Sequence, residues 1–314
     1  MSIMKETNRR DFVKTFAVAS FLGLTAGSHP KHASSAENPA MCIARYKSSP
    51  KEPDAIVEEA ERLTRTAVNG IGGMSRFVSK GEIVWVKPNI CFERLPEQAV
   101  NSNPHVVATV IKLCYEAGAK QVLVSNNPTG DLSQAFKRSG ISEEAEKAGG
   151  KVLFMDRRKF KRMAINGKVI KEWEVYTEAV EADKLISIAT VKHHPLSTVT
   201  LGMKGLMGLI TGPRDEFHND FDNSIPDLAA FLKPDLVVLD AIRVLMRNGP
   251  FGGNLSDVER KDTIAISADQ IAVDAFGATL LNQKPSDIGY IKEGASRGMG
   301  EMDFNSRSPV RLDL

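Results

Sequence analysis

Three of the six histidines, His193, His194 and His218, lie within 26 residues of one another, and Lys204 is the one charge between Leu196 and Pro213. Imidazole ligates metals or carries protons near neutral pH. An amine held close to a substrate neutralises negative charge as it develops. Such a set suits an anionic small molecule or a metal cofactor, and proton abstraction beside a carboxylate, racemisation included. The candidate catalytic residues are His193, His194 and Lys204, and the candidate metal ligands are His193 and His218. Neighbouring side chains on a strand point to opposite faces, so at most one of His193 and His194 faces a common site. The competing reading is of histidines satisfied in the core or at the surface.

Behind the histidines, Gly202, Gly205 and Gly208 recur every third residue. On a helix this makes a bare stripe drifting about 60° per step, along which backbone or ligand can approach closely. Each helical glycine costs roughly 1 kcal/mol relative to alanine, which something must offset. Thr198 or Thr200 is placed to cap the helix start, whose free N–H groups attract an anion. Thr200 and Gly202 are therefore candidate ligand-binding residues. A buried Lys204 needs a counter-charge, because stripping an ammonium of water costs several kcal/mol. An acidic ligand, Asp240 or Asp274 would supply it, whereas a lysine that reaches solvent needs none. Met203 and Met207 read as core filling.

The elements that carry these residues alternate. "EIVWVKPNI" is a short strand stopped by proline, leaving Lys87 and Asn89 at its carboxyl end. Asn103-Pro104 opens a helix that closes by Gly118, and "QVLVSNN" is the next strand. Two short helices, the strand "KVLFMD" and a hairpin turning at Asn166-Gly167 follow. "KLISIATV" runs straight into the histidine pair; a helix near 225–232, the strands "DLVVLDA" and "TIAISA" and a helix over 270–281 complete the series. This pattern predicts an α/β fold, a mainly parallel sheet with helices on both faces, in one large domain or two closely packed lobes. In such sheets ligands gather at the carboxyl ends of strands. Lys87, Asn89, Asp240 and Asp274 join the candidate ligand-binding set.

The amino terminus reads as a targeting segment. Arg9-Arg10, an apolar run from Thr15 to Gly27 and small residues around Ser34-Ser35-Ala36 resemble a twin-arginine signal. The apolar run is too short to span a bilayer. Residues 1–36 are thus expected to be removed after passage through the twin-arginine translocase, giving an exported, periplasmic or extracytoplasmic protein. Residues 37–53 would be a linker and 54–314 the domain. Removing 1–36 takes five of the 41 Lys+Arg and two of the 39 Asp+Glu, leaving 36 against 37. No net positive charge remains to favour nucleic acid. Cys42, Cys91 and Cys114 are widely spaced and form no C-x-x-C, so no chain-borne iron-sulfur cluster is expected. One disulfide among them is allowed. No dinucleotide or phosphate-loop fingerprint occurs.

Taken in order, Lys87-Pro88-Asn89, Asn103-Pro104, "KHHPLSTVTLGMKGLMGLITG", His218, "VVLDAI", "NGPFGG" and "SADQIAVDAFGATLL" resemble the domain-of-unknown-function family 362. The resemblance implies company with iron-sulfur proteins, since members often stand beside ferredoxin-like cysteine clusters. This chain lacks the cluster, and the family's Lys-Asn pair reads Lys204-Gly205 here. A histidine ahead of a Thr/Gly-rich turn with lysine is also distantly similar to the pocket of nickel-pincer lactate racemases. Three readings compete: an enzyme-like anion or metal-cofactor site, a non-enzymatic binding or assembly module for a separate iron-sulfur partner protein, and a glycine stripe that only packs helices.

Overall fold

Alternating apolar residues in the central strands divide the interior into two cores. Val84, Val86, Ile186, Ile188 and Val238 face one side of the sheet, while Trp85, Leu185, Val237 and Leu239 face the other. The computed structural model describes residues 40–47 and 55–314. The twin-arginine stretch and the expected cleavage point at Ala36 lie outside the described residues.

In chain order the strands are β1 (Met41–Arg45), β2 (Ile83–Pro88), β3 (Gln121–Val124), β4 (Lys151–Val152), β5 (Phe160–Ala164), β6 (Glu172–Tyr176), β7 (Lys184–His194), β8 (Thr198–Thr200), β9 (Leu236–Leu245), β10 (Val258–Ser267) and β11 (Val310–Asp313). β5 and β6 form a separate hairpin. The main sheet has the order β11-β1-β10-β9-β7-β2-β3-β4, with β8 folded back on β7. β10 runs against both its neighbours and β8 against β7; every other pairing is parallel. The helices Ala55–Gly70, Pro104–Glu116 and Ile141–Lys147 cover one face, and Phe221–Leu232, Gln270–Leu280 and Gly289–Ser296 cover the other. The mainly parallel, doubly covered α/β sheet is as the sequence predicts.

Strands β2, β3 and β4 proceed to one side, and the chain then crosses to lay β7 on the other side of β2. The strand order therefore reverses between β2 and β7, the position at which such sheets open a crevice.

Two boundaries need correction. The expected linker 37–53 contains β1, whose Met41, Cys42, Ile43 and Ala44 are buried between β10 and β11. Five residues are too few to show a period, and both partners lie more than 200 residues away. "KVLFMD" contributes only the two-residue edge strand β4. Beyond residue 281 the structure adds the Gly289–Ser296 helix and β11, which the sequence analysis did not foresee.

The glycine run forms a single α-turn, Gly202–Gly205, continued as a 3-10 turn, Leu206–Leu209. Neither Thr198 nor Thr200 caps it; Leu201 holds the cap position without a side-chain bond. Its free N–H groups do find an acceptor, and the acceptor belongs to the chain. Asp274, on the Gln270–Leu280 helix, accepts from Gly202 N at 2.6 Å and from Met203 N at 3.0 Å. Glycine is required at 202 because a Cβ there would stand 2.7 Å from Asp274 Oδ1 and 3.1 Å from Val237 Cγ1. Replacing Asp274 with Ala strands two buried N–H groups, each costing about 1–3 kcal/mol. Thermal unfolding of Asp274→Ala should show Tm lower by roughly 10 °C for a domain of this size, and an unchanged Tm would remove Asp274 from this role.

Candidate functional site

A cavity of about 320 Å³ opens at the carboxyl ends of β2, β3 and β7, beside the point where the strand order reverses. Asn89 and Cys91 reach it from β2, Asn126 from β3, Lys192 and His194 from β7, and Thr200 from β8. The glycine turn adds Lys204, Gly205 and Gly208, and the following Arg214–His218 helix adds Arg214, Asp215 and His218. Asp215 is the one carboxylate in this lining, which otherwise presents cationic, amide, hydroxyl, thiol, imidazole and apolar groups.

Lys192 is fully buried. Its three N–H bonds find three acceptors: Val100 O at 2.6 Å, Asn89 Oδ1 at 2.8 Å and Cys91 Sγ at 3.2 Å. Hydrogen bonding is thus complete, while the group beside it able to carry an opposite charge is the Cys91 sulfur. Burial alone would raise the Cys91 thiol, but the charge and hydrogen bond of Lys192, with Lys204 and Lys87, outweigh it and bring the thiol below its ordinary value.

Beneath the cavity floor lies Lys87, also with no exposed surface. The glycine stripe rests on it. A Cβ at Gly205 would sit 3.7 Å from Lys87 Nζ and 3.8 Å from Asn89 Nδ2. At Gly208 a Cβ would stand 2.8 Å from Lys87 Cε and would collide with the Asn126 amide. Bare backbone here lets the turn close over a polar floor, so Gly208 has no room for alanine. Burial pushes the Lys87 amine down to about 7, and Lys192, Arg214 and Lys204 push in the same direction.

Lys204 sits in the cavity wall with its ammonium 5.1 Å from the centroid of the Phe221 ring. Among the described residues it makes neither a hydrogen bond nor an ion pair. Burial lowers its amine to about 8, with Lys192 and Arg214 adding to the effect and Cys91 opposing it. Phe221 also meets His218 at 4.6 Å and His194 at 5.9 Å, ring centre to ring centre, and so gathers all three groups. Arg214 donates to Asn127 O, Ile210 O and Thr129 Oγ1, with no carboxylate among these acceptors. Thr200 Oγ1 is buried with no partner among the described residues.

Of the residues proposed from the sequence, Asn89, His194, Thr200, Lys204 and His218 line the cavity and Lys87 underlies it. His193 does not: strand alternation sends it away from the cavity, as the one-of-two expectation required. Gly202, Asp240 and Asp274 also stand outside the lining. Asp240 accepts from Asn103 N at 2.7 Å and Ile242 N at 3.2 Å, tying the start of the Pro104–Glu116 helix to β9. Both acids expected to neutralise Lys204 are thus spent on backbone N–H groups. The metal pair His193 and His218 is not assembled, and no group of three or more His, Cys, Asp or Glu among the described residues could hold a metal ion. Three groups at the centre went unforeseen. Lys192 was in plain view in "VKHHP", Cys91 stands two residues past Asn89, and Arg214 directly follows Gly212-Pro213.

His194 is unsuited to the catalytic role expected of it, and equally to holding a metal. Its Nδ1 accepts from Leu196 N at 3.2 Å and Ser197 N at 3.3 Å, so the neutral ring carries its proton on Nε2 and offers no free lone pair to a metal. Burial, then Lys204 and Lys192, depress it to about 3, too far from neutral for a general base. The His194 imidazole should show no titration by NMR between pH 5 and 8; a midpoint near the ordinary 6.5 would contradict this geometry.

A thylakoid-associated protein of Synechocystis sp. is 27% identical over 234 residues, covering 71% of this chain and 70% of that relative. The lactate racemase apoprotein from Thermoanaerobacterium thermosaccharolyticum is similar in structure at a TM-score of 0.44 and 12% identity, over 79% of this chain and 58% of that chain. The model of the domain of unknown function DUF362 matches residues 84–279, and the chain belongs to that family.

Proposed function

We propose that the cavity binds a small anionic molecule whose acidic group is received by Lys204, with Arg214 and Lys192 adding positive potential and Thr200 Oγ1 a hydrogen bond. One observation carries this reading: the Lys204 ammonium, half-buried in the cavity wall, makes no hydrogen bond or ion pair among the described residues, and it lines the same cavity as Thr200, whose hydroxyl is unbonded. A bound anion supplies both missing partners. Proton abstraction beside the acidic group is the finer proposal, with Lys204 neutralising the charge that develops. Its base is not His194, whose imidazole stays neutral with Nδ1 engaged. A membrane-associated or extracytoplasmic location belongs to the same proposal, supported by the thylakoid-associated relative and by Arg9-Arg10 ahead of their apolar run.

Isothermal titration calorimetry with inorganic phosphate and small mono- and dicarboxylates tests the binding. Lys204→Met should weaken the best of these by about 10- to 100-fold, the contribution of one charge-assisted contact; equal affinity would remove Lys204 from the site. Binding needs the protonated amine, so affinity should fall as pH rises through about 8.

Stability moves the opposite way. The folded-state amine is depressed below its ordinary 10.5, so the unfolded chain holds the extra proton between about 8 and 10.5, and wild-type stability gains across that window as pH rises. Lys204→Met should therefore match or exceed the wild-type Tm at neutral pH, with the difference shrinking toward pH 10.5. A variant that unfolds more easily at pH 7 would contradict an uncompensated buried ammonium.

A further inference from the structure

We propose that Cys91 is held as a thiolate by Lys192 and is the reacting group of the cavity, a nucleophile toward small anions that carry an electrophilic carbon. This rests on the anion-binding reading above and adds the group that acts on the bound molecule.

The geometry makes the pairing specific. Lys192 has no exposed surface, and its three acceptors are a backbone carbonyl, a side-chain amide oxygen and the Cys91 sulfur. Two of these are neutral. A buried ammonium without a counter-charge costs several kcal/mol, and proton loss from Cys91 supplies that charge at 3.2 Å. The other charges acting on Cys91 favour the same state: Lys204 from the glycine turn, Lys87 from β2, and Arg214 from the helix behind. Asp215, the one carboxylate in the lining, is not among them.

The sulfur is also held in place. Cys91 N donates to Asn101 Oδ1 at 2.8 Å, and Cys91 O accepts from Thr129 N and Gly130 N, both at 3.3 Å. As a thiol, Sγ donates to Asn89 Oδ1 at 3.3 Å. On ionisation that acceptor keeps its bond from Lys192, so no polar atom is stranded. Cys91 is half-buried and lines the cavity, whereas Cys42 and Cys114 are enclosed in the core. A ligand is indicated independently of the cysteine: Thr200, paired with Lys192 in the β7–β8 register, lines the same cavity, and its hydroxyl is buried and unbonded.

In the reaction the sulfur lone pair forms an S–C bond while the leaving group departs with the electron pair of the bond it breaks. Iodoacetate is a direct probe, since the S–C bond forms as C–I breaks and iodide leaves. Its carboxylate also requires the cationic lining. Alkylation of the native full-length chain by iodoacetate and by iodoacetamide, followed by peptide mass spectrometry from pH 5 to 9, reads both properties. Expected is labelling confined to Cys91, with a midpoint below the ordinary 8.5 of a thiol. Iodoacetate should outpace iodoacetamide by about 10-fold or more, the effect of a focused positive field. Lys192→Met should move the midpoint to 8.5 or above. Lys204→Met, which removes no hydrogen bond or ion pair, should erase most of the preference for iodoacetate.

A wild-type Cys91 that titrates at or above 8.5 overturns the thiolate proposal and leaves anion binding by Lys204 standing. This measurement needs no variant, so a misfolded Lys192→Met does not shield the proposal. A low midpoint without preference for iodoacetate overturns the anion-binding reading and, with it, the substrate class.

Discussion

Two lysines with no exposed surface, a third in the cavity wall and a partly buried arginine gather around one cysteine, and Asp240 and Asp274, the acids the sequence offered them, are committed to backbone N–H groups. Removing an ammonium from water is among the most expensive operations in a folded chain. The structure spreads that cost in three ways. Lys192 exchanges water for three hydrogen bonds and a sulfur. Burial lowers Lys87 and Lys204 toward partial neutrality. Lys204 also faces an aromatic ring. The part left over is an attraction for anions, concentrated where the strand order reverses.

That concentration depends on close approach of backbone to side chain. The Asp274 carboxylate fastens the start of the glycine turn, and the missing side chains at 205 and 208 let the turn lie directly on Lys87 and the two asparagines, Asn89 and Asn126. The penalty of glycine in a helical turn is offset by contacts that a Cβ would forbid. Packing and the shape of the cavity are therefore one arrangement: the stripe packs a turn against a polar floor, and the floor with the turn encloses the cavity. The reading of the stripe as a packing surface is correct for Gly202, while Gly205 and Gly208 stand in the cavity lining.

The split between the histidines follows from the same strand geometry. β7 carries them at its end, where it still pairs with β8, so one ring enters the cavity and the other leaves it. His194 then spends its Nδ1 on the Leu196–Ser197 turn, acting as a structural brace. Residue type alone made the histidines the natural reactive groups, but burial lowers His194 and His218 and favours their neutral rings. The lysines and the cysteine, ordinary in sequence, gain reactivity from one another.

Local pattern determined a good deal. Alternation of short apolar runs with capped helices specified a parallel α/β sheet, Pro88 located a strand end, Asn103 a helix cap, and the glycine spacing a close approach. These are properties of neighbours in the chain, legible because propensity and period act over a few residues. Tertiary structure alone decided which strand ends adjoin, that β1 belongs to the sheet, and that Asp240 and Asp274 serve backbone N–H groups. It also brought Lys192 to Cys91 across 101 residues of sequence. Whether a lysine is solvated or buried, and whether a thiol is inert or ionised, is set by the dielectric and the charges around it, and those come from segments that share no local pattern.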